Sequence, residues 1–232
     1  MKKLFICGDS FAVADTESSV VPWFELLQKK LAPTWSVTNS SIVCASNLHI
    51  RLQIQSAIDQ AADFVIFLAT SSTRGEGRLN DLKVSDKNLL HRFVNIGKKT
   101  TGDEEFGCYS YNSLDETCVF DSGKIDVLRK FRDRIFDLEL STLNNQFIIE
   151  SSLHALKTSN TAFVFDQGGF ENPKFSGSKN YYFKGFDKFR SKINLWSLVG
   201  YPMGHRPYFH IVEQSTHAHI AEYYFTKIQN CD

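Results

Sequence analysis

Short apolar runs and helical repeats alternate through the N-terminal third of the chain. Residues 3–7 and 63–70 are nearly continuous apolar runs, which is typical of strands buried on both faces of a parallel sheet. Residues 22–32 and 47–61 repeat apolar side chains at helical spacing, and 35–43 alternates loosely as a further strand. This order of strand, helix, strand, helix and strand predicts a right-handed parallel α/β sheet, in which functional residues gather at the carboxyl ends of the strands.

The helix predicted over 47–61 carries an apolar stripe that we expect to pack against the sheet. Its expected buried face is formed by Leu48, Leu52, Ile58 and either Ile54 or Gln55. Asn47 comes just before this stripe, and its side chain is a plausible N-cap for the helix.

The C-terminal half continues the same alternation with longer elements. A helical pattern runs from 125 to 156, includes Phe147 among its inward positions, and is expected to break into two helices near Asn144 and Asn145. Residues 161–166 predict a fourth buried strand, and 193–199 predict a fifth strand or a short helix.

A closing helix is predicted over 215–229, with Ser215 or Thr216 as its cap. Its inward face is expected to consist of Ile220, Tyr224 and Ile228. The predicted fold class is therefore α/β, with a parallel sheet of about five strands between helices.

Two stretches, about 74–124 and 167–192, lack a long periodic element. They follow the third and fourth predicted strands, and they carry aromatic residues throughout. Insertions at the carboxyl ends of strands would overhang a site there, so we expect them to shape the substrate pocket. The chain as a whole, 1–232, is expected to form a single domain with these two insertions.

Charge and cysteine usage exclude several classes of function. Lys plus Arg and Asp plus Glu are both 26, so no net field favours nucleic acid. The five cysteines have no metal-binding spacing, and phosphate-binding glycine loops are absent, so neither a metal nor another cofactor is expected. No apolar run reaches the length that would predict a signal peptide or membrane insertion. A cytoplasmic location is the expectation.

The sequence FICGDSF places Gly8, Asp9 and Ser10 directly after the first predicted strand. A serine at this edge can act as a nucleophile if a histidine base and oxyanion donors lie within reach. The stretch resembles block I of the SGNH/GDSL hydrolases, which have a three-layer α/β/α, flavodoxin-like fold. That resemblance implies that Ser10 is the catalytic nucleophile.

The next two blocks of the resemblance fall on the ends of the second and third strands. The second strand ends at Asn39, and Cys44 stands in the loop where the family has a glycine, so the backbone amide of Cys44 or of Ala45 would serve the oxyanion. Ser72 stands where the family has its oxyanion asparagine. The sequence TSSTRGE resembles a subset of these proteins, many from tailed phages, and Arg74 would either pair with Glu76 or meet an anionic substrate group.

The last block implies that His210 is the base. The family's aspartate position is Pro207, which leaves Glu213, a backbone carbonyl or no acid at all to orient the imidazole. His217 and His219 are rival bases, but residues in the first turns of a helix more often have structural or surface roles.

Together these residues imply a serine esterase with a Ser10–His210 dyad or triad and an acyl ester of a carbohydrate or lipid as substrate. The alternative is a degenerate SGNH-fold protein that binds a ligand or a protein partner, because three of the family's motif positions differ here. If the chain is viral, the host cytoplasm or the virion is its expected location.

Overall fold

The computed structural model describes residues 1–13, 20–42, 45–70, 72, 74–78, 106–110, 134, 137–166 and 214–230. Their strands are β1 (Lys2–Cys7), β2 (Trp35–Asn39), β3 (Phe64–Leu68), β4 (Arg74–Arg78), β5 (Phe106–Ser110) and β6 (Ala162–Asp166). Their α-helices are α1 (Trp23–Leu31), α2 (Asn47–Asp59), α3 (Leu138–Thr158) and α4 (Gln214–Gln229). A short 3-10 turn, Ser10–Ala12, follows β1.

Four of these strands form one parallel sheet in the order β2-β1-β3-β6. The predicted parallel α/β architecture is therefore confirmed, with β1 between β2 and β3. The expected fifth strand over 193–199 lies outside the described residues, and the single-domain organisation stays a prediction.

Helices cover both faces of the sheet because the strands are apolar on both. Leu4 and Ile6 of β1 pack in a core with α1 and α4, whereas Phe5 and Cys7 pack in a second core with α2 and α3. This alternation within a continuous apolar run is what a strand between two helical layers requires. The described residues thus form three layers, α/β/α.

The buried face of α2 differs from the sequence-based expectation. Leu48 and Leu52 are 44 % and 52 % exposed. The buried face instead consists of Asn47, Ile50, Gln53, Ile54 and Ala57. Ile54 of the predicted face is buried and Ile58 packs against the core, but Leu48 and Leu52 are wrong, and two amides take buried positions. The N-cap of α2 differs from the prediction as well. It is Ser46, whose side chain accepts a hydrogen bond from the His49 amide, and Asn47 is the first helical residue.

The helix α3 is continuous through Asn144 and Asn145, so the predicted break is wrong. Asparagine costs a helix interior less than about 0.7 kcal/mol relative to alanine, and here the Asn145 side chain has partners. Its amide nitrogen donates to the Ser141 carbonyl, and its oxygen accepts from Asn47. Phe147, expected inside, is 58 % exposed.

The closing helix α4 has the expected inward face of Ile220, Tyr224 and Ile228. It begins at Gln214, so Ser215 and Thr216 lie within its first turn and are not caps. The Gln214 side chain bonds both the amide and the carbonyl of Val21, at 2.9 and 3.1 Å, which ties this start to the segment before α1.

The first predicted insertion contains a regular feature that the sequence pattern did not indicate. Strands β4 and β5 pair antiparallel, with Arg74 opposite Ser110 and Arg78 opposite Phe106. The β4 sequence RGEGR has two glycines and no apolar residue, so it offers no strand periodicity to detect. The second insertion, 167–192, lies outside the described residues.

Candidate active site

The Ser10 turn follows the carboxyl end of β1, which is an interior strand of the sheet. Ser10 opens the 3-10 turn, and the side chain of Asp9 caps that turn by accepting from the Phe11 amide at 3.2 Å. Ser10 itself is only 6 % exposed. The predicted sharp turn after the strand is formed, and it holds Ser10 close to the protein interior.

Two neighbouring side chains fix the far end of this turn. The Trp23 indole donates to the Phe11 carbonyl at 2.9 Å, and the Asn39 amide donates to the Ala12 carbonyl at 2.6 Å. Asn39 ends β2, so the adjacent strand braces the turn. A three-residue 3-10 turn is too short to supply amide donors for all of its own carbonyls. The two side chains supply the missing donors to the carbonyls of Phe11 and Ala12.

Asp9 is the centre of a buried polar cluster. Its side chain is fully buried, and its Oδ2 accepts hydrogen bonds from the Thr70 hydroxyl and from Arg74 Nη2, the latter at 3.4 Å. A buried carboxylate needs such compensation because leaving water is costly for a charge. Within the described residues Arg74 therefore pairs with Asp9, and its expected contact with Glu76 or a substrate anion stays a prediction.

Arg74 is not fully satisfied by that pair. Its side chain is 12 % exposed, and its buried Nη1 has no hydrogen-bond partner among the described residues. Because β4 begins at Arg74, the guanidinium joins the start of the first insertion to the Ser10 turn.

Ser72, the candidate oxyanion donor, contacts α3. Its hydroxyl lies 3.1 Å from the Thr142 hydroxyl, and its carbonyl accepts from the Ser141 hydroxyl at 2.7 Å. Ser72 and Thr142 are both buried. The first turns of α3 therefore anchor the loop that follows β3.

Three of the site residues named from the sequence, Cys44, His210 and Glu213, lie outside the described residues. Of the two rival histidines, His217 is buried and its Nδ1 accepts a hydrogen bond from the Trp23 amide at 3.1 Å. That contact caps the start of α1, which is a structural role. His219 is exposed on α4.

Burial favours the neutral forms of three side chains near the sheet, Cys7, His49 and Tyr224. Burial raises the pKa of the Cys7 thiol, so it stays protonated and is a poor nucleophile. Burial lowers the pKa of His49, in the first turn of α2. Burial also raises the pKa of Tyr224 well above its usual range, and the Asp166 carboxylate raises it further.

Tyr224→Phe tests that buried pair. The phenol donates to Asp166 Oδ2 at 3.2 Å, so we expect the variant to lose about 1–2 kcal/mol in free energy of unfolding at pH 8. Because the folded pKa is raised, unfolding releases a proton above pH ~10 and the wild type loses its advantage there by about 1.4 kcal/mol per pH unit. Urea denaturation of both proteins from pH 8 to 11 measures this difference, and a constant difference contradicts the prediction.

The described residues contain no group of three or more His, Cys, Asp or Glu side chains arranged to hold a metal ion. Within the same residues, no helix has both the length and the apolar character needed to cross a membrane.

The α/β fold with its parallel sheet is of the SGNH hydrolase type, as its similarity to two solved structures shows, and this confirms the resemblance at the level of the fold. The psychrotrophic esterase EstA from Pseudoalteromonas sp., in a structure inhibited by monoethylphosphonate, is 10 % identical with a TM-score of 0.53 over 99 % of this chain and 98 % of its own. TesA is 11 % identical with a TM-score of 0.50 over 99 % of each chain. No protein-family model and no curated protein matches the sequence.

Sequence reasoning missed the polar residues that brace the site: Thr70, Asn47 and Gln53. The predicted strand ends at Thr70, Asn47 is predicted as an N-cap, and the predicted buried face of the helix omits Gln53. A usable signal was present, because Asn47, Ile50, Gln53 and Ala57 recur at helical spacing.

Proposed function

We propose that this protein is a serine hydrolase that cleaves an acyl ester, with Ser10 as nucleophile and His210 as base. The observation that carries the proposal is the Asp9-capped turn that holds Ser10 at the carboxyl end of the interior strand β1. Parallel α/β sheets bind their ligands at this edge. The similar fold of EstA, an esterase, supports the same reaction class.

In the proposed reaction, the Ser10 hydroxyl attacks the ester carbonyl carbon while its proton passes to His210. The oxyanion accepts hydrogen bonds from the backbone amides of Ser10 and Cys44 and from the Ser72 hydroxyl. The alcohol then leaves with the proton from His210, and water hydrolyses the acyl-serine to release the acid. Glu213 is the proposed orienting acid, and an ester of a carbohydrate or lipid is the proposed substrate.

A fluorophosphonate probe tests this reaction, because an activated serine displaces fluoride and becomes phosphonylated. We expect the wild type to be labelled and to hydrolyse p-nitrophenyl acetate or butyrate, and Ser10→Ala to do neither. His210→Gln should slow labelling by about 10²-fold or more, since general-base assistance contributes on that order. Ser56→Ala, on the exposed side of α2, is the matched control and should be labelled like the wild type.

A second candidate function is binding without hydrolysis. The observation that favours it is the contact between the Ser72 and Thr142 hydroxyls, which engages the side chain proposed as an oxyanion donor. If the probe leaves the wild type unmodified and the p-nitrophenyl esters intact, the esterase proposal is wrong and a ligand-binding or protein-binding role replaces it.

A further inference from the structure

The buried amide Gln53 pairs with the backbone that leads into the Ser10 turn. Its Oε1 accepts from the Gly8 amide at 2.8 Å, and its Nε2 donates to the Gly8 carbonyl at 3.3 Å. Both backbone groups of Gly8 are thus bonded by one side chain, in the manner of a neighbouring strand. Gln53 is 6 % exposed, so water is a poor substitute for these bonds.

A second amide on the same helix does the same for β3. Asn47 Oδ1 accepts from the Thr70 amide at 2.9 Å, and its Nδ2 donates to the Thr70 carbonyl at 2.8 Å. The hydroxyl of Thr70 in turn donates to Asp9, which caps the Ser10 turn. The helix α2 therefore holds this turn by two routes, directly through Gly8 and indirectly through Thr70.

The spacing of the two amides matches the sheet. Strands β1 and β3 are paired with Cys7 beside Phe67, so Gly8 is one residue past this pair and Thr70 is three. Because α2 links parallel strands, it runs antiparallel to them, and Asn47 at its start reaches further beyond the sheet than Gln53. Gln53 therefore bonds Gly8 just past the end of β1, and Asn47 bonds Thr70 further past the end of β3.

We propose that Gln53 is a positioning residue for Ser10: its side-chain amide fixes the Gly8 peptide groups and so the placement of the nucleophile. The proposal rests on the proposed function for its catalytic consequence. Its structural part, the restraint of the Ser10 turn by Gln53, is measurable whether or not Ser10 reacts.

Gln53→Met tests the proposal, because methionine has a similar length and makes neither bond. We expect the Gly8 amide to exchange with solvent deuterium at least about tenfold faster, and the Phe11 amide to follow, while Ile66 in β3 is unchanged. With the fluorophosphonate, we expect the maximal labelling rate to fall by about tenfold and the half-saturating probe concentration to stay within about twofold.

Two controls separate positioning from a general loss of stability. Gln55→Met makes the same chemical change on α2, at a residue that bonds Arg51 and Asp59 instead of the sheet. Ile54→Val removes one buried methyl beside Gln53, which lowers thermal stability, and it keeps both hydrogen bonds between Gln53 and Gly8. Both controls should keep the wild-type maximal labelling rate. Gln53→Glu is a second test variant, since an ionised carboxylate cannot donate to the Gly8 carbonyl.

The outcomes are distinguishable. If the wild type is not labelled, the proposed esterase is wrong, and the exchange rates of Gly8 and Phe11 still decide whether Gln53 restrains the turn. If Gln53→Met exchanges Gly8 at the wild-type rate, or if both Gln53 variants label at the wild-type maximal rate when the wild type is reactive, the positioning proposal is overturned. If Gln53→Met loses no more of the maximal labelling rate than Ile54→Val does, the positioning proposal is also overturned.

Discussion

Asp9→Asn is expected to lower the free energy of unfolding by about 3 kcal/mol, because it leaves the Arg74 guanidinium with little exposure and without its counterion. In a chain of 232 residues this corresponds to a fall in melting temperature of roughly 6–12 °C. The asparagine oxygen can still accept from the Phe11 amide, so the turn keeps its cap. Its nitrogen cannot accept from Thr70 or Arg74.

A double-mutant cycle with Arg74→Met gives this prediction its sharpest form. Arg74→Met alone should lower the free energy of unfolding by less than Asp9→Asn does, since Asp9 still accepts hydrogen bonds from the Thr70 hydroxyl and the Phe11 amide. In the Arg74→Met background, Asp9→Asn no longer strands a charge, so we expect the double variant to be more stable than Asp9→Asn alone. Urea denaturation of the four proteins measures the coupling. Additive costs would mean that the 3.4 Å pair does not compensate the charges.

The layered fold was predictable because its signals are local and repeated. The four strands of the parallel sheet and the helices that flank it were located from apolar runs and helical spacing, and all three residues predicted for the inward face of α4 are buried there, together with His217 and Ala221. The buried side of α2 was predicted only in part. A prediction from an apolar stripe assumes that a helix buries apolar side chains only. The helix α2 also buries Asn47 and Gln53, whose side chains bond strand ends that are distant in sequence.

The candidate site was predictable only in part for the same reason. Gly8, Asp9 and Ser10 are adjacent in the chain, so a short motif placed the turn. The partners of Asp9 come from the loop after β3, about sixty residues away, and no local pattern links Thr70 or Arg74 to that carboxylate. The local pattern offered Glu76 or a substrate anion as the partner of Arg74, and both stay predictions, whereas the observed contact with Asp9 joins residues distant in sequence.

The contacts also explain why the turn has little freedom. It is held by α2 through Gln53, by β2 through Asn39 and by α1 through Trp23, so the three bracing side chains come from different elements. A serine whose hydroxyl must meet a base and an oxyanion site benefits from such restraint, because small misplacements are costly in rate. Rigid support of Ser10 is therefore consistent with the proposed chemistry.

Gly8→Ala is expected to disturb both the fold and Ser10. A Cβ at position 8 would lie 2.9 Å from Leu68 Cβ, which is closer than real Cβ atoms approach, and a tight 3.1 Å from Leu68 Cδ1. The nearest atom is attached directly to the β3 backbone, so a rotamer change cannot relieve the overlap and the strands must separate. We expect a loss of about 2–3 kcal/mol in free energy of unfolding, in the upper range for overpacked cores.

The carboxyl end of β1 would move with that separation, so the maximal fluorophosphonate labelling rate should fall at least about tenfold even at temperatures where the variant is folded. Leu68→Ala provides the discriminating background. It removes the contacts at Cδ1 and Cγ but keeps Cβ, so it should restore little of the stability lost by Gly8→Ala. Full rescue in the double variant would show that the flexible end of Leu68, and not the close approach of the two strands, is what requires glycine at this position.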